Sequence, residues 1–172
     1  MNASTHTSGE LRQPAQFFRR LLVATVAAGT LDITYACVVS YFRGRMPMTV
    51  LQSVASGWLG PAAYQGGTGS ALLGLATHYG IMAVMAGTYG LAAARIMRLR
   101  RRPWSSGLLY GAGLYAVMYG IVLPLRFPAI FPRLNGWITV TDILVHMAVG
   151  VIIARVFGTA ASVASERAPL RT

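Results

Sequence analysis

Apolar residues gather in four long runs, at residues 21–42, 70–94, 104–125 and 139–159. Each can cross a hydrocarbon layer of about 30 Å, which takes about 20 helical residues rising about 1.5 Å each. The expected fold is an all-α integral membrane four-helix bundle. It divides the chain into a polar tail (1–18), one membrane domain (19–160) and a second tail (161–172). The third span is the weakest, because Pro124 ends it and Arg126 follows at once. The Arg19–Arg20 pair before the first run could open a secretory signal, but the run continues for about 22 residues without a convincing cleavage site and reads as a retained span.

The loops carry their own patterns. In "RMPMTVLQSVASGWLGPAAYQGGTGS" (45–70) no charge follows Arg45. Pro47 can open a short helix. Val50, Leu51, Val54 and Trp58 then fall on one side, with Gln52, Ser53 and Ser56 on the other. Such an uncharged amphipathic piece lies at the interface or dips in as a re-entrant segment. "QGGTGS" lacks the lysine of a phosphate-binding loop and reads as a flexible entry to the second span. In "PLRFPAIFPRLNGW", Pro124, Pro128 and Pro132 forbid a regular helix interior.

Composition supports the membrane reading. Of 172 residues 55% are hydrophobic and only 11% charged. Mean hydropathy is +0.54, whereas soluble domains carry about 25% charged residues. The net charge is +11, and every basic residue is arginine. Eleven arginines fall in the N-terminal tail, the "RIMRLRRRPW" connection and the C-terminal end, against four in the other loops (Arg43, Arg45, Arg126 and Arg133). That asymmetry places both termini in the cytoplasm. It describes a protein oriented in a lipid bilayer, with no nucleic-acid partner. Arginine without lysine, beside abundant alanine and glycine, suggests a GC-rich bacterial genome and hence the inner membrane. The single cysteine, Cys37, leaves the redox compartment undetermined.

Helices in lipid associate through close backbone contact, so small residues mark the seams. Ala24, Ala28, Asp32, Ala36 and Ser40 share a four-residue ridge on span one. Asp142, His146, Gly150 and Ala154 share one on span four. Gly107 and Gly111 stand four apart at the start of span three. On span two Ala76, Gly80, Ala83, Gly87, Gly90 and Ala94 form a continuous seam, while His78 lies nearly opposite it with Gly74, Met82 and Met85.

The ionisable residues within the spans are the candidate chemistry. Asp32 lies about 15 Å and His78 about 12 Å below the outer ends of their spans; His146 is about 10 Å below the start of span four, with Asp142 about one turn higher. Three helices thus offer polar groups at one depth. Asp142 and His146, four apart, can hydrogen-bond to each other. Three readings stay open. The layer fixes helix register, with Thr34, Tyr35 or Thr77 as further partners. It handles or senses a proton, ion or small polar solute, the default suspicion for such residues. Or His78 and His146 hold a metal or haem. No motif calls for a cofactor, no nucleophile supports an enzyme, and a homo-oligomer or a membrane-complex partner is compatible with the small-residue seams. The leading expectation is the second reading. The rival is a structural or accessory membrane subunit.

"AGTLDITYA" (28–36), "LQSVASGWLGPAAYQGG" (51–67) and "ALLGLATHYGIMAVMAGTYGLA" (71–92) resemble a family of small bacterial inner-membrane proteins over residues 24–157. More distantly the chain is similar to the YagU-type inner-membrane proteins. The resemblance implies a four-span bacterial membrane protein and carries over no site residues.

Overall fold

The structure, a computed structural model, describes residues 7–132 and 134–158, with side chains from Pro14 onward. The tail from residue 161, and Arg133, Arg167 and Arg171, lie outside the described residues. The described chain is helical, with no strand. Helix α1 covers Thr7–Phe42, α2 Pro47–Leu59, α3 Gly67–Arg95, α4 Met97–Arg101, α5 Pro103–Val117, α6 Leu123–Arg126 and α7 Trp137–Gly158. A π-helical turn at Met118–Val122 joins α5 to α6, making one rod from Pro103 to Arg126. Four helices are long and apolar enough to cross a membrane: Pro14–Phe42, Gly67–Arg95, Pro103–Arg126 and Trp137–Gly158. The chain is a four-helix membrane bundle.

Pro124 does not end the third span; the helix runs two residues past it. Proline has no N–H, and its ring crowds the carbonyl four residues back, here Gly120. The π turn just before Pro124 widens the helix at that carbonyl. "QGGTGS" is not a flexible entry either. Gly67, at φ +54°, starts α3, and the remainder of the motif is its first turn.

The helices meet most closely at the end that carries Arg20, Arg95–Arg102 and Arg155, here called the arginine end. Gly107 and Gly111 of α5 sit on the backbone of α7. A Cβ at Gly107 would come within 2.6 Å of Val151 Cα, and one at Gly111 would overlap the His146 carbonyl. Reciprocally, Gly150 leaves no room for a side chain beside Gly107 and Gly111. Ala24 and Ala28 of α1 and Ala154 of α7 are completely buried, and Tyr89, Ile153 and Phe157 fill the space among them. The ridges of spans one and four and the glycine pair of span three therefore pack as their spacing predicts.

Span two does so only at Gly90, which is buried against Phe157. Its main buried line is Gly74, His78, Met82, Ala86, Tyr89 and Ala93, whereas Ala76, Gly80 and Ala94 are exposed. Small residues permit close approach but do not compel it. Met82 and Tyr89 offer more atoms for van der Waals contact, and Tyr89 also bonds to Ser106, so that face turned inward.

Helix α2 is inverted relative to a soluble amphipathic helix. Its polar side is buried: Gln52 donates to the Gly67 carbonyl at 3.1 Å, and Gly74 lies against the Leu51 carbonyl. Trp58 is 72% exposed and spans to Thr77 Oγ1 through its indole N–H at 3.0 Å. Where lipid or interface replaces water, apolar groups go outward and polar ones inward. At about 1.5 Å per residue the 29 residues of α3 span about 43 Å, exceeding the hydrocarbon by about 13 Å.

Arg126 holds α2 from the other side. Its Nε donates to the Gly57 carbonyl at 2.8 Å, which Pro61 leaves without a backbone donor, and its Nη2 to that of Ser56 at 3.0 Å, which also accepts the Gly60 N–H. Arg126→Met is expected to loosen α2 while leaving the spans folded. Hydrogen exchange at residues 47–59 should rise, with overall thermal unfolding little changed. Unaltered exchange in α2 would show that Arg126 does not hold it.

Candidate functional site

All four sequence-predicted residues face the interior of the bundle. Asp32 and His78 form one pair. His78 Nδ1 stands 4.0 Å from Asp32 Oδ2, facing it at a distance too long for a hydrogen bond. Its Nε2 lies 3.0 Å from the Gly29 carbonyl. A carbonyl only accepts, so Nε2 carries a proton. Nδ1, the nitrogen facing the carboxylate, is then the acceptor nitrogen of the neutral ring. The contact needs a small residue on α1: a Cβ at Gly29 would strike the Tyr79 ring at 2.8 Å. Tyr79 in turn reaches Thr30 Oγ1 at 2.9 Å.

Asp142 and His146 meet differently from the expectation. His146 Nδ1 lies 2.8 Å from the backbone carbonyl of Asp142, not from its carboxylate. On a helix the carbonyl four residues back is closer to an imidazole than the outward-reaching carboxylate is. The carboxylate turns to α1 instead: the Tyr35 hydroxyl donates to Asp142 Oδ1 at 2.8 Å and lies 2.7 Å from Thr141 Oγ1. His146 stands edge-on to Tyr115 and Tyr119, at 5.7 Å from each, and these two rings stack at 4.5 Å. With Nδ1 donating to the Asp142 carbonyl, Nε2 is the acceptor nitrogen of the neutral His146 ring.

Of the partners the sequence suggests, Tyr35 joins the layer. Thr34 is exposed, and Thr77 accepts from Trp58. Tyr119 is a member that sequence reasoning missed. It stacks on Tyr115 and comes into electrostatic reach of both Asp142 and Asp32. The available signal was the four-residue spacing of Tyr115 and Tyr119, which puts both rings on one helix face. No hydrogen bond, ion pair or ring contact among the described residues joins His78 to His146, and no three His, Cys, Asp or Glu side chains gather as a metal site. Each histidine already spends one nitrogen on a helix carbonyl.

The layer sits where close packing stops. On α1 beyond Gly29, on the α5–α6 rod beyond Leu114 and on α7 before Val149, no described residue is fully buried. Among α1, the rod and α7 the bundle is closed at the arginine end and more loosely packed at the opposite, loop end, where full burial is confined to α2, the turn after it and the start of α3 (Ala55, Ala63 and Ala71). Asp32 is 24% exposed at that transition.

A membrane-embedded helical bundle with a one-sided polar layer is thus the class that the fold and site define. Comparison with family models, curated proteins and solved structures finds no match to this chain.

Proposed function

We propose that this chain is a multi-pass protein of the bacterial inner membrane, with both termini in the cytoplasm, whose polar layer binds or relays a proton, cation or small polar solute entering from the outer side. The orientation rests on the arginine asymmetry. The function rests on one observation: two of the chain's four acidic residues converge, from different helices, with two imidazoles and two phenols where the packing opens. Ionisable groups at mid-depth cost about 2.5–3.5 kcal/mol each when they face lipid, and function is the usual reason for them. The His78–Asp32 contact offers a proton acceptor beside a carboxylate, and the Tyr35 and Tyr119 hydroxyls with the Asp142 carboxylate continue the polar layer. The closed arginine end suits a one-sided sensor, or the outward-open state of a carrier.

A second reading has its own observation. His78, Asp142 and His146 all have partners within the protein, as expected of a layer that only fixes helix register in an accessory subunit. Asparagine at Asp32 or Asp142 keeps size and hydrogen bonding but removes the charge. In liposomes holding a pH-sensitive dye, wild type should give a proton- or cation-dependent signal. Asp32→Asn and Asp142→Asn should lose at least about tenfold of it, which is about 1.4 kcal/mol, with thermal unfolding nearly unchanged. Asparagine variants with full signal, or wild-type vesicles behaving as empty ones, would defeat the functional reading.

A further inference from the structure

Helices α3 and α5 flank a groove of about 1100 Å³ that lies apart from the polar layer. Its floor is fixed. The Tyr110 hydroxyl donates to the Met85 carbonyl at 2.7 Å, and Tyr89 meets Ser106 Oγ at 2.8 Å, bridging the two helices while their rings sit 5.0 Å apart. Its walls are apolar, formed by residues such as Ile81, Leu109 and Val117. From Ser105 to Val122 it runs about 25 Å along the rod, more than the roughly 15 Å of one leaflet's hydrocarbon.

The polar groups of the groove decide its occupant. Thr88, Tyr89, Ser105, Ser106 and Tyr110 are each bonded within the protein. The two guanidiniums left over, Arg98 and Arg102, stand together at the arginine end, exposed and without an acidic partner among the described residues. A long apolar channel with paired arginines at one mouth matches an amphiphile with an anionic head. Arginine pairs hold phosphate oxygens through charge-assisted hydrogen bonds. A polar solute gains nothing from the walls. A second copy of this chain brings no described acidic side chain to that depth, since Asp32 and Asp142 lie in the other half of the bundle.

We infer that the α3–α5 groove is a binding site for an anionic glycerophospholipid of the leaflet at the arginine end, with acyl chain in the groove and phosphate between Arg98 and Arg102. This site is independent of the polar layer, and its test is separable from that of the proposed function. Full-length protein would be reconstituted in nanodiscs of phosphatidylcholine with a minor share of phosphatidylglycerol, then extracted in mild detergent. Native mass spectrometry would read the retained lipid. Wild type should keep phosphatidylglycerol in preference to phosphatidylcholine. Arg98→Gln/Arg102→Gln should weaken retention by about tenfold or more. Gly113→Leu should do the same by filling the groove with both arginines intact; Gly113 lines it, and a Cβ there meets nothing within 4 Å, so this variant tests the site without a packing clash. Arg101→Gln and Asp32→Asn should retain lipid as wild type does. Equal retention of the two lipids, unchanged retention in both groove variants, or a dimer that buries the groove would each overturn the assignment.

Discussion

Gly111→Ala lowers the stability of the bundle by about 1–3 kcal/mol, the usual cost of forcing an atom into a filled core. The effect opposes helix propensity, since alanine improves on glycine by up to about 1 kcal/mol in a helix interior. Here the new Cβ would overlap the His146 carbonyl and lie within 2.5 Å of Met147 Cα, so α5 and α7 must separate. In lipid there is little hydrophobic gain to restore a contact once its close packing is lost. Gly113, two residues along and facing open space, is the control. Gly113→Ala should be neutral or slightly stabilising. Thermal unfolding in detergent, followed by loss of the monodisperse peak, separates the two. Equal stability of the two variants would mean that the α5–α7 contact does not hold the bundle.

Removing His78 should cost more than removing the charge it faces. His78→Leu leaves Asp32 without its partner in the bundle and also breaks the link to Gly29. Breaking a fully buried ion pair from one side costs about 3–5 kcal/mol. Asp32 is 24% exposed and the contact is long at 4.0 Å, which brings the expected loss to about 1–3 kcal/mol. Asp32→Asn alone should be mild, and Asp32→Asn/His78→Leu should recover part of the His78→Leu loss. The coupling in this cycle is expected at about 0.5–3 kcal/mol. Strict additivity would show that the two side chains do not interact, and the proton-acceptor role drawn for Nδ1 would go with it.

The four spans and the inward ridges of α1 and α7 were legible because length and four-residue spacing are one-dimensional properties. Most of what escaped depended on competition between faces or between hydrogen-bonding partners. On α3 two faces were plausible, and the side with Met82 and Tyr89 prevailed over the small-residue seam. On α2 the amphipathic pattern was visible, but its direction was not, because the surrounding medium sets which face turns inward. Tyr119 went unread although it stands four residues from Tyr115 on the same helix face. The Asp142–His146 spacing was read as a side-chain pair, yet the backbone carbonyl took the imidazole and freed the carboxylate for Tyr35.

The uneven packing has a practical consequence. Glycine-mediated contact clamps α5 to α7 at one end, while beyond Leu114 and before Val149 the same helices bury nothing fully. The residues that clamp α5 on α7, Gly111 and Gly150, are thus distinct from those that join the same helices across the polar layer, where the Tyr115 and Tyr119 rings stand against His146. The tightness of the clamp and the chemistry of the layer can therefore be altered by separate substitutions.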